Sequence, residues 1–210
     1  MLFKFSLVTI EQISNLINQL KSNAYGSDNI NAVMLQLCLP TISKHVTHII
    51  NCCLETGYFP DIWKLSIIRP LAKKNDPENF SDLRPITIIP TLSKVLEKVI
   101  QSQLYNYVIV NKIIPSCQSG FRKNHSTTAI LANILDNALR SLDNKDVTAL
   151  ILLDFSKAFD TLDHSLLCAK LRYYGFDESS LNFFNTYLSN RRQTVLFNTV
   201  FSDITPITSG

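Results

Sequence analysis

Charged side chains are scarce in this sequence, and long apolar runs are absent from it. Only 18% of the 210 residues are charged, against roughly 25% in an ordinary soluble domain, so some apolar surface is expected to serve contacts with other elements. No apolar run approaches the length of a membrane-spanning helix, so no membrane contact is predicted. The opening "MLFKFSLVTI" is too short, and too soon followed by Glu11, for a signal peptide.

Repeats, low-complexity tracts and obvious linkers are also missing, which argues against solenoid and disordered classes. Because 46% of the residues are hydrophobic, the chain can bury a substantial core. Its length fits one large domain or parts of two.

The cysteines lack the pattern of a disulfide framework or a CxxC pair. They are odd in number and lie mostly in apolar surroundings: Cys38, Cys52, Cys53, Cys117 and Cys168. This usage predicts reduced, mostly buried thiols in an intracellular protein.

The net charge of +3 is too small to identify a nucleic-acid-binding protein by itself. Its distribution is uneven, because residues 64–125 hold ten Lys or Arg against four acids, a net charge of +6. Such a segment could contact phosphates, although a solvated charged face is an equally good interpretation.

Zinc-ligand side chains lie on the flank of one predicted helix, at His45, His48 and Cys52. At 1.5 Å per residue, His45 and Cys52 are roughly 10 Å apart along the helix axis. That is too far to share one zinc ion, so packing of the helix flank is the preferred interpretation. Two of the three could bind an ion only with ligands from elsewhere.

Apolar periodicity predicts an α/β fold with helices in excess. Helices are predicted at about 9–23, 30–55, 91–108, 126–142, 163–175 and 177–189, with Asp28, Asp163 and Asp177 as caps. Extended segments are predicted at 64–74, 86–89, 147–155 and 192–207. The segment "VTALILLDF" (147–155) has the continuous apolar character of a strand covered on both faces.

Asp154 ends that predicted strand, a position that suits a carboxylate holding a hard cation such as Mg²⁺. Taken alone, such an aspartate is more often a turn or helix cap. A hydrolase with an aspartyl nucleophile commonly has a second Asp two positions later, where this chain has Ser156. A polymerase instead combines this acid with a second acidic pair and an aromatic near the sugar, a place that Phe159 could take.

The stretch "LLDFSKAFDTLDH" (152–164) resembles the first palm motif of reverse transcriptases from non-LTR retrotransposons, with the jockey-like branch as the nearest match. Further matches in the same order are "GYFPDIWK" (57–64), "IIRPLAKK" (67–74), "LRPITIIPTLSKVLEKVI" (83–100), "QSGFRKNHSTT" (118–128) and "YLSNRRQTV" (187–195). The resemblance implies a right-hand polymerase fold. It divides the chain into a helical N-terminal extension (1–60), a fingers-like region (61–145) and a partial palm (146–210).

The resemblance also implies roles for particular residues. Asp154 would be the first metal-binding aspartate, with the carbonyl of Phe155 as an auxiliary Mg²⁺ ligand. Phe159 would crowd the sugar 2′ position and favour deoxynucleotides, whereas without the resemblance it reads as a core aromatic. Arg84, with Lys73 or Lys74, would grip the incoming triphosphate.

Four loop residues, Gln118, Gly120, Phe121 and Arg122, match the family's element near the template; a structural turn is an equally good interpretation. Asp160 and Asp163 are not expected to bind metal. Asp163 is interpreted as a helix cap and Lys157 as an exposed residue after the strand.

The family's next elements, a Pro-Gln-Gly turn and a hairpin with two adjacent aspartates, would begin just after "ITSG" (207–210), and the sequence offers no substitute for them. We therefore expect an incomplete palm, no thumb, no polymerase activity from this chain alone, and poor solubility because 147–155 is left uncovered. The intact enzyme would use an RNA template, a DNA primer, deoxynucleoside triphosphates and Mg²⁺, in the nucleus or cytoplasm. The alternatives are a noncatalytic nucleic-acid-binding remnant of a decayed element and a protein-interaction segment.

Overall fold

Six α-helices and five β-strands make up the part of the chain that the structure, a computed structural model, describes: residues 2–155 and 158–207. The helices are α1 (Ile10–Asn18), α2 (Ala32–Thr56), α3 (Thr91–Val110), α4 (Thr127–Asp143), α5 (His164–Tyr173) and α6 (Glu178–Leu188). The strands are β1 (Leu65–Ala72), β2 (Leu83–Ile88), β3 (Arg192–Phe197), β4 (Val200–Phe201) and β5 (Thr205–Pro206). None of the described helices is long and apolar enough to cross a bilayer.

The chain divides into two compact units. Unit 1 combines Met1–Tyr107 with Phe159–Gly210, and unit 2 is Val108–Ala158. The predicted regions 1–60, 61–145 and 146–210 are functional regions implied by the resemblance. Compact units do not test them, so that division stays a prediction. The mixed α/β class with an excess of helices agrees with the sequence interpretation.

Side-chain caps fix where several helices begin. Asp163 accepts a hydrogen bond from the backbone N–H of Leu166, and Asp177 accepts one from that of Ser180, so both predicted caps are confirmed. Asp28 is not the cap of α2. That position is taken by Asn31, whose side chain accepts the N–H of Met34.

The sheet of unit 1 joins distant parts of the chain. Its strand order is β2-β1-β3-β4, with β5 also paired to β3. β1 and β2 form an antiparallel ribbon, and β1 pairs in parallel with β3, which follows more than a hundred residues later. Beyond Ile68 on β1, no residue of β3 is in register, so the distal half of the β1–β2 ribbon extends past β3.

Aromatic side chains form the centre of the core of unit 1, and the first residues of the chain belong to it. Phe3 bridges to Phe176 in parallel, with its N–H donating to the carbonyl of Gly175 at 2.7 Å and its carbonyl accepting from Asp177 at 2.9 Å. The rings of Phe3 and Phe176 lie 4.4 Å apart. No element was predicted before residue 9, so this contact was missed.

A half-buried carboxylate, Glu97, links α3 to α6. The Tyr187 hydroxyl donates to Glu97 at 2.9 Å, and the Arg191 guanidinium lies 4.7 Å from the Tyr187 ring centre. Burial raises the pKa of Glu97 above its usual value, and this outweighs the hydrogen bond from Tyr187 and the charges of Arg191 and Lys94, which lower it.

The raised pKa of Glu97 makes the stability of unit 1 pH-dependent. A carboxyl whose pKa rises on folding contributes stability that is complete below its unfolded pKa and is lost as the pH rises through the folded pKa. We expect urea unfolding to show a lower free energy of unfolding as the pH rises above 4.5, the ordinary glutamate value. The decline should be smaller in Glu97→Gln, because the amide cannot ionise.

The matched control is Glu55→Gln, which removes one exposed carboxylate from α2. It should retain the pH profile of the parent chain. Parallel profiles for the parent and Glu97→Gln would contradict the assignment.

The strand predicted over 147–155 is wrong. The structure assigns no strand there, and Val147, Ile151 and Leu153 are 97%, 80% and 87% exposed. An extended apolar segment gains its hydrogen bonds and its burial from neighbouring strands, and no described strand pairs with it. The exposure agrees with the expectation that this segment lies uncovered.

Helix α4 carries a stripe of apolar side chains that is not buried. Its members are 37–67% exposed where the structure gives a value: Ile130, Leu131, Ile134, Leu135 and Leu142. Helix α4 has no buried residue at all. Unit 2 therefore presents two adjacent apolar segments to its surroundings, α4 and 147–155.

This exposed surface should promote self-association, and a single charge should reduce it. We expect Ile151→Lys to shift elution in gel filtration toward the monomer while changing the free energy of unfolding by no more than about 0.5 kcal/mol. Thr148→Lys is the control, since it adds the same charge in the same exposed segment without removing an apolar side chain. A large loss of stability in Ile151→Lys would instead show that the segment is buried.

Candidate functional site

The residues predicted to grip a triphosphate lie together at the distal end of the β1–β2 ribbon. Lys73 and Lys74 follow the end of β1, and Arg84 lies on β2 directly opposite Leu71. The ribbon register, rather than sequence proximity, brings Arg84 next to the lysines. All three side chains are exposed.

The two lysines already have partners within the connecting loop. The Lys73 ammonium donates to the carbonyl of Ser81 at 2.6 Å, and the Lys74 ammonium lies 3.1 Å from the carboxylate of Asp82. Lys74 and the backbone N–H groups of Asn79 and Glu78 lower the pKa of Asp82. These contacts order the loop, and a phosphate would have to compete with them.

Arg84 differs from the lysines, because it forms no ion pair with any residue that the structure describes. Arg84 is exposed, and the strand that carries it, β2, is held in place by its pairing with β1. Its guanidinium is therefore free to bind an external anion.

Asp154 and Phe155 end the exposed segment of unit 2. Asp154 is exposed and Phe155 is 82% exposed, so neither is held in place by packing. Among residues 2–155 and 158–207, no group of three His, Cys, Asp or Glu side chains could hold a metal ion. Ser156 and Lys157, which follow in the same motif, lie outside the described residues.

Phe159 belongs to unit 1 and is 72% exposed, so the interpretation as a core aromatic is not supported. Its carbonyl accepts the N–H of Leu162 in the turn before α5. The predicted role of Phe159 beside the sugar of a nucleotide stays a prediction.

The loop of Gln118 to Arg122 is closed by hydrogen bonds from a side chain of the loop to backbone carbonyls. The Arg122 guanidinium donates to the carbonyls of Gln118 and Pro115 at 3.1 and 3.3 Å, which favours the structural-turn interpretation for Arg122. Phe121 adopts a positive φ of 61° and is 88% exposed. A Cβ on Gly120 would meet nothing within 4 Å, so the local fold does not require glycine there.

The zinc interpretation gains no support from the structure. The Cys52 sulfur lies 3.6 Å from Nε2 of His48, one helical turn away. His45 does not complete a ligand group with them among the described residues. His45 and His48 are exposed on α2 and Cys52 is half-buried, so the interpretation as helix-flank packing is wrong for the two histidines.

A cleft of about 790 Å³ lies between α3, α6 and the residues after α1. Its lining includes Leu20, Ile100 and Leu104, with Lys94 and Lys98 among the polar members. Tyr187 also lines the cleft, which contains none of the predicted site residues.

Arg69, which the sequence analysis did not select, is exposed on β1 and shares the ribbon with Arg84. The signal that could have found it is the repeated dipeptide Arg-Pro, at 69–70 and again at 84–85.

The exposed basic side chains of the ribbon are groups that can bind phosphates. The model of the family described as "Reverse transcriptase (RNA-dependent DNA polymerase)" matches residues 72–203, which include every predicted site residue. The chain therefore belongs to the reverse transcriptase family.

Curated relatives agree with this family. The chain is 31% identical over 207 residues to the RNA-directed DNA polymerase from mobile element jockey of Drosophila melanogaster, covering 98% of this chain and 22% of that protein. It is 29% identical to a probable RNA-directed DNA polymerase from transposon X-element of the same species, covering 93% and 22%. It is 27% identical to a Pol polyprotein from the type-1 retrotransposable element R2 of Popillia japonica, covering 88% and 25%. The chain thus spans about a fifth to a quarter of the length of these relatives.

Proposed function

We propose that this chain supplies the fingers and the first palm motif of an RNA-directed DNA polymerase of a non-LTR retrotransposon. The observation that carries the proposal is the cluster of Lys73, Lys74 and Arg84 on one ribbon inside the family match. A guanidinium and two ammonium groups can donate hydrogen bonds to the charged phosphate oxygens of an incoming deoxynucleoside triphosphate. The partners would be an RNA template and a DNA primer, with Gln118, Gly120, Phe121 and Arg122 near the template.

Asp154 would be the first metal ligand, together with the Phe155 carbonyl. Both are oxygen donors of the type that Mg²⁺ takes. Two-metal phosphoryl transfer requires further carboxylates, and the described residues provide no group of acids around Asp154. The described residues therefore do not fit a complete Mg²⁺ site.

The test is primer extension by the purified chain on an RNA template with deoxynucleoside triphosphates and Mg²⁺. We expect no extension, together with binding of RNA that weakens as the salt concentration rises, because phosphate contacts release counterions. Metal-dependent extension by the chain alone would show that its carboxylates suffice, contrary to the proposal.

A noncatalytic nucleic-acid-binding protein is the second candidate, favoured by exposed, unpaired arginine on the ribbon. In that case RNA binding should survive Asp154→Asn unchanged, since phosphates rather than metal would carry the affinity. Salt-insensitive or absent RNA binding would exclude both candidates and favour a protein-interaction segment, for which the exposed stripe of α4 is the available surface.

A further inference from the structure

The β1–β2 ribbon contains two copies of an Arg-Pro-aliphatic unit, Arg69-Pro70-Leu71 and Arg84-Pro85-Ile86. Pro70 stands opposite Pro85, so Arg69 pairs with Ile86 and Leu71 pairs with Arg84. In an antiparallel ribbon this register creates a local two-fold axis between the prolines, which exchanges the two units. The symmetry becomes apparent only once the strands are paired.

The register also places both arginines on one face of the ribbon. Directly opposed residues share a face, and so do residues two apart on one strand. Arg69 and Arg84 are therefore diagonal neighbours, about 7–8 Å apart by ordinary sheet geometry. Between them lie Leu71 and Ile86, which are 55% and 42% exposed, so this face is open to solvent.

The prolines stiffen the backbone that carries the two arginines. A residue before proline is held in the extended region, and proline fixes its own φ. Because neither proline has an N–H, the Pro70–Pro85 pair suits the ladder position at which opposed residues exchange no hydrogen bonds. The arginine backbones are thus fixed before any ligand arrives, which reduces the entropy lost on binding.

No described carboxylate neutralises either guanidinium. Neither arginine forms an ion pair within the described chain, and Asp82, at the end of the same ribbon, is occupied by Lys74. Two like charges held as diagonal neighbours repel each other, and an anion with several charged oxygens relieves that repulsion. A guanidinium fork matches a phosphate group through two parallel hydrogen bonds.

We propose that Arg69 and Arg84 together bind linked phosphate groups, with one guanidinium on each phosphate. The inference rests on the proposed function for Arg84 and adds Arg69, which lies outside the family match at 72–203. Linked phosphates occur both in a nucleoside triphosphate and in a nucleic-acid backbone, and the same two forks would suit either.

The experiment measures fluorescence anisotropy of a labelled oligouridylate of about 16 nucleotides with the purified 210-residue chain at low salt. Inorganic tripolyphosphate serves as the competitor. We expect Arg69→Ala and Arg84→Ala each to weaken binding about tenfold, as for loss of a charged hydrogen bond. The slope of log affinity against log salt should fall by about 0.7 per lost contact. Arg69→Lys should recover only part of the loss, because an ammonium keeps the charge without the fork.

Arg140→Ala is the control, since it removes one exposed arginine from α4 that is paired with Asp136. Its affinity should stay within twofold of the parent. The double variant Arg69→Ala/Arg84→Ala should lose less than the product of the single losses if both forks hold the same ligand. Unchanged thermal unfolding of the single variants would show that folding is intact.

The outcomes separate the inference from the proposed function. Loss of binding in Arg84→Ala with none in Arg69→Ala would overturn the inference and leave the proposed function standing. No loss in either variant, whether of RNA binding or of competition by tripolyphosphate, would overturn both. If the two substitutions weaken competition by tripolyphosphate but not RNA binding, the source is a nucleotide; if they weaken RNA binding alone, the source is the nucleic-acid backbone.

Discussion

Asp154→Asn is expected to abolish polymerase activity when residues 72–203 of this chain replace the aligned stretch of the Drosophila melanogaster jockey polymerase. The jockey protein supplies the rest of the enzyme, and this chain would supply the first carboxylate. Asparagine keeps the shape and removes the charge. Electrostatic stabilisation through a metal is worth several kcal/mol, so primer extension should fall by at least about a thousandfold.

Asp160→Asn in the same chimaera is the matched control, because it removes the next aspartate along the motif, which is not expected to bind metal. It should retain extension within a few-fold of the parent chimaera. An inactive parent chimaera that still folds would argue for the nucleic-acid-binding remnant. Equal losses in the two variants would show that the motif tolerates no change of charge, and Asp154 would lose its special role.

Local signals predicted the helix boundaries to within two residues, except that the helix predicted over 9–23 ends at Asn18. The caps at Asp163 and Asp177 are readable from sequence because a short side chain reaches N–H groups only two or three residues away. The positive φ of Gly175, 85°, likewise follows from its place just after α5. Each of these features depends on neighbours along the chain, so composition and spacing suffice.

Features that depend on distant residues were not predictable in the same way. The segment 147–155 has the composition of a buried strand, but a strand forms only where another pairs with it, and composition carries no information on that partner. The pairing of Phe3 was missed because its partner, Phe176, is far along the chain and nothing in the sequence around Phe3 indicates it. The parallel pairing of β1 with β3 is another contact of this kind.

The same difference between local and distant features applies to the candidate site. Sequence motifs selected Lys73, Lys74 and Arg84, and the ribbon brings these residues together. What sequence could not show is that both lysines are engaged by their own loop while Arg84 is not, because those contacts depend on the conformation of residues 75–82. Arg69 was missed although the dipeptide Arg-Pro occurs twice in the sequence, because only the strand register shows that the two dipeptides are paired.

Phe183→Ala should cause the largest loss of stability among single substitutions in the core of unit 1. The ring is fully buried and contacts four other aromatic rings, with centroid distances of 5.3 to 6.3 Å: Phe5, Phe59, Phe184 and Tyr187. Truncation removes the buried ring and leaves a cavity, at a cost of about 3–5 kcal/mol in the free energy of unfolding. Urea unfolding followed by the fluorescence of Trp63, the single tryptophan, measures it.

Phe80→Ala is the control, because Phe80 is 94% exposed, and it should change the free energy of unfolding by no more than about 0.5 kcal/mol. A loss below about 1 kcal/mol in Phe183→Ala would mean that the aromatic cluster relaxes into the cavity. The ribbon arginines lie away from this cluster along the exposed end of β1 and β2. Phosphate binding by the folded fraction of Phe183→Ala should therefore equal that of the parent, which separates loss of folding from loss of the site.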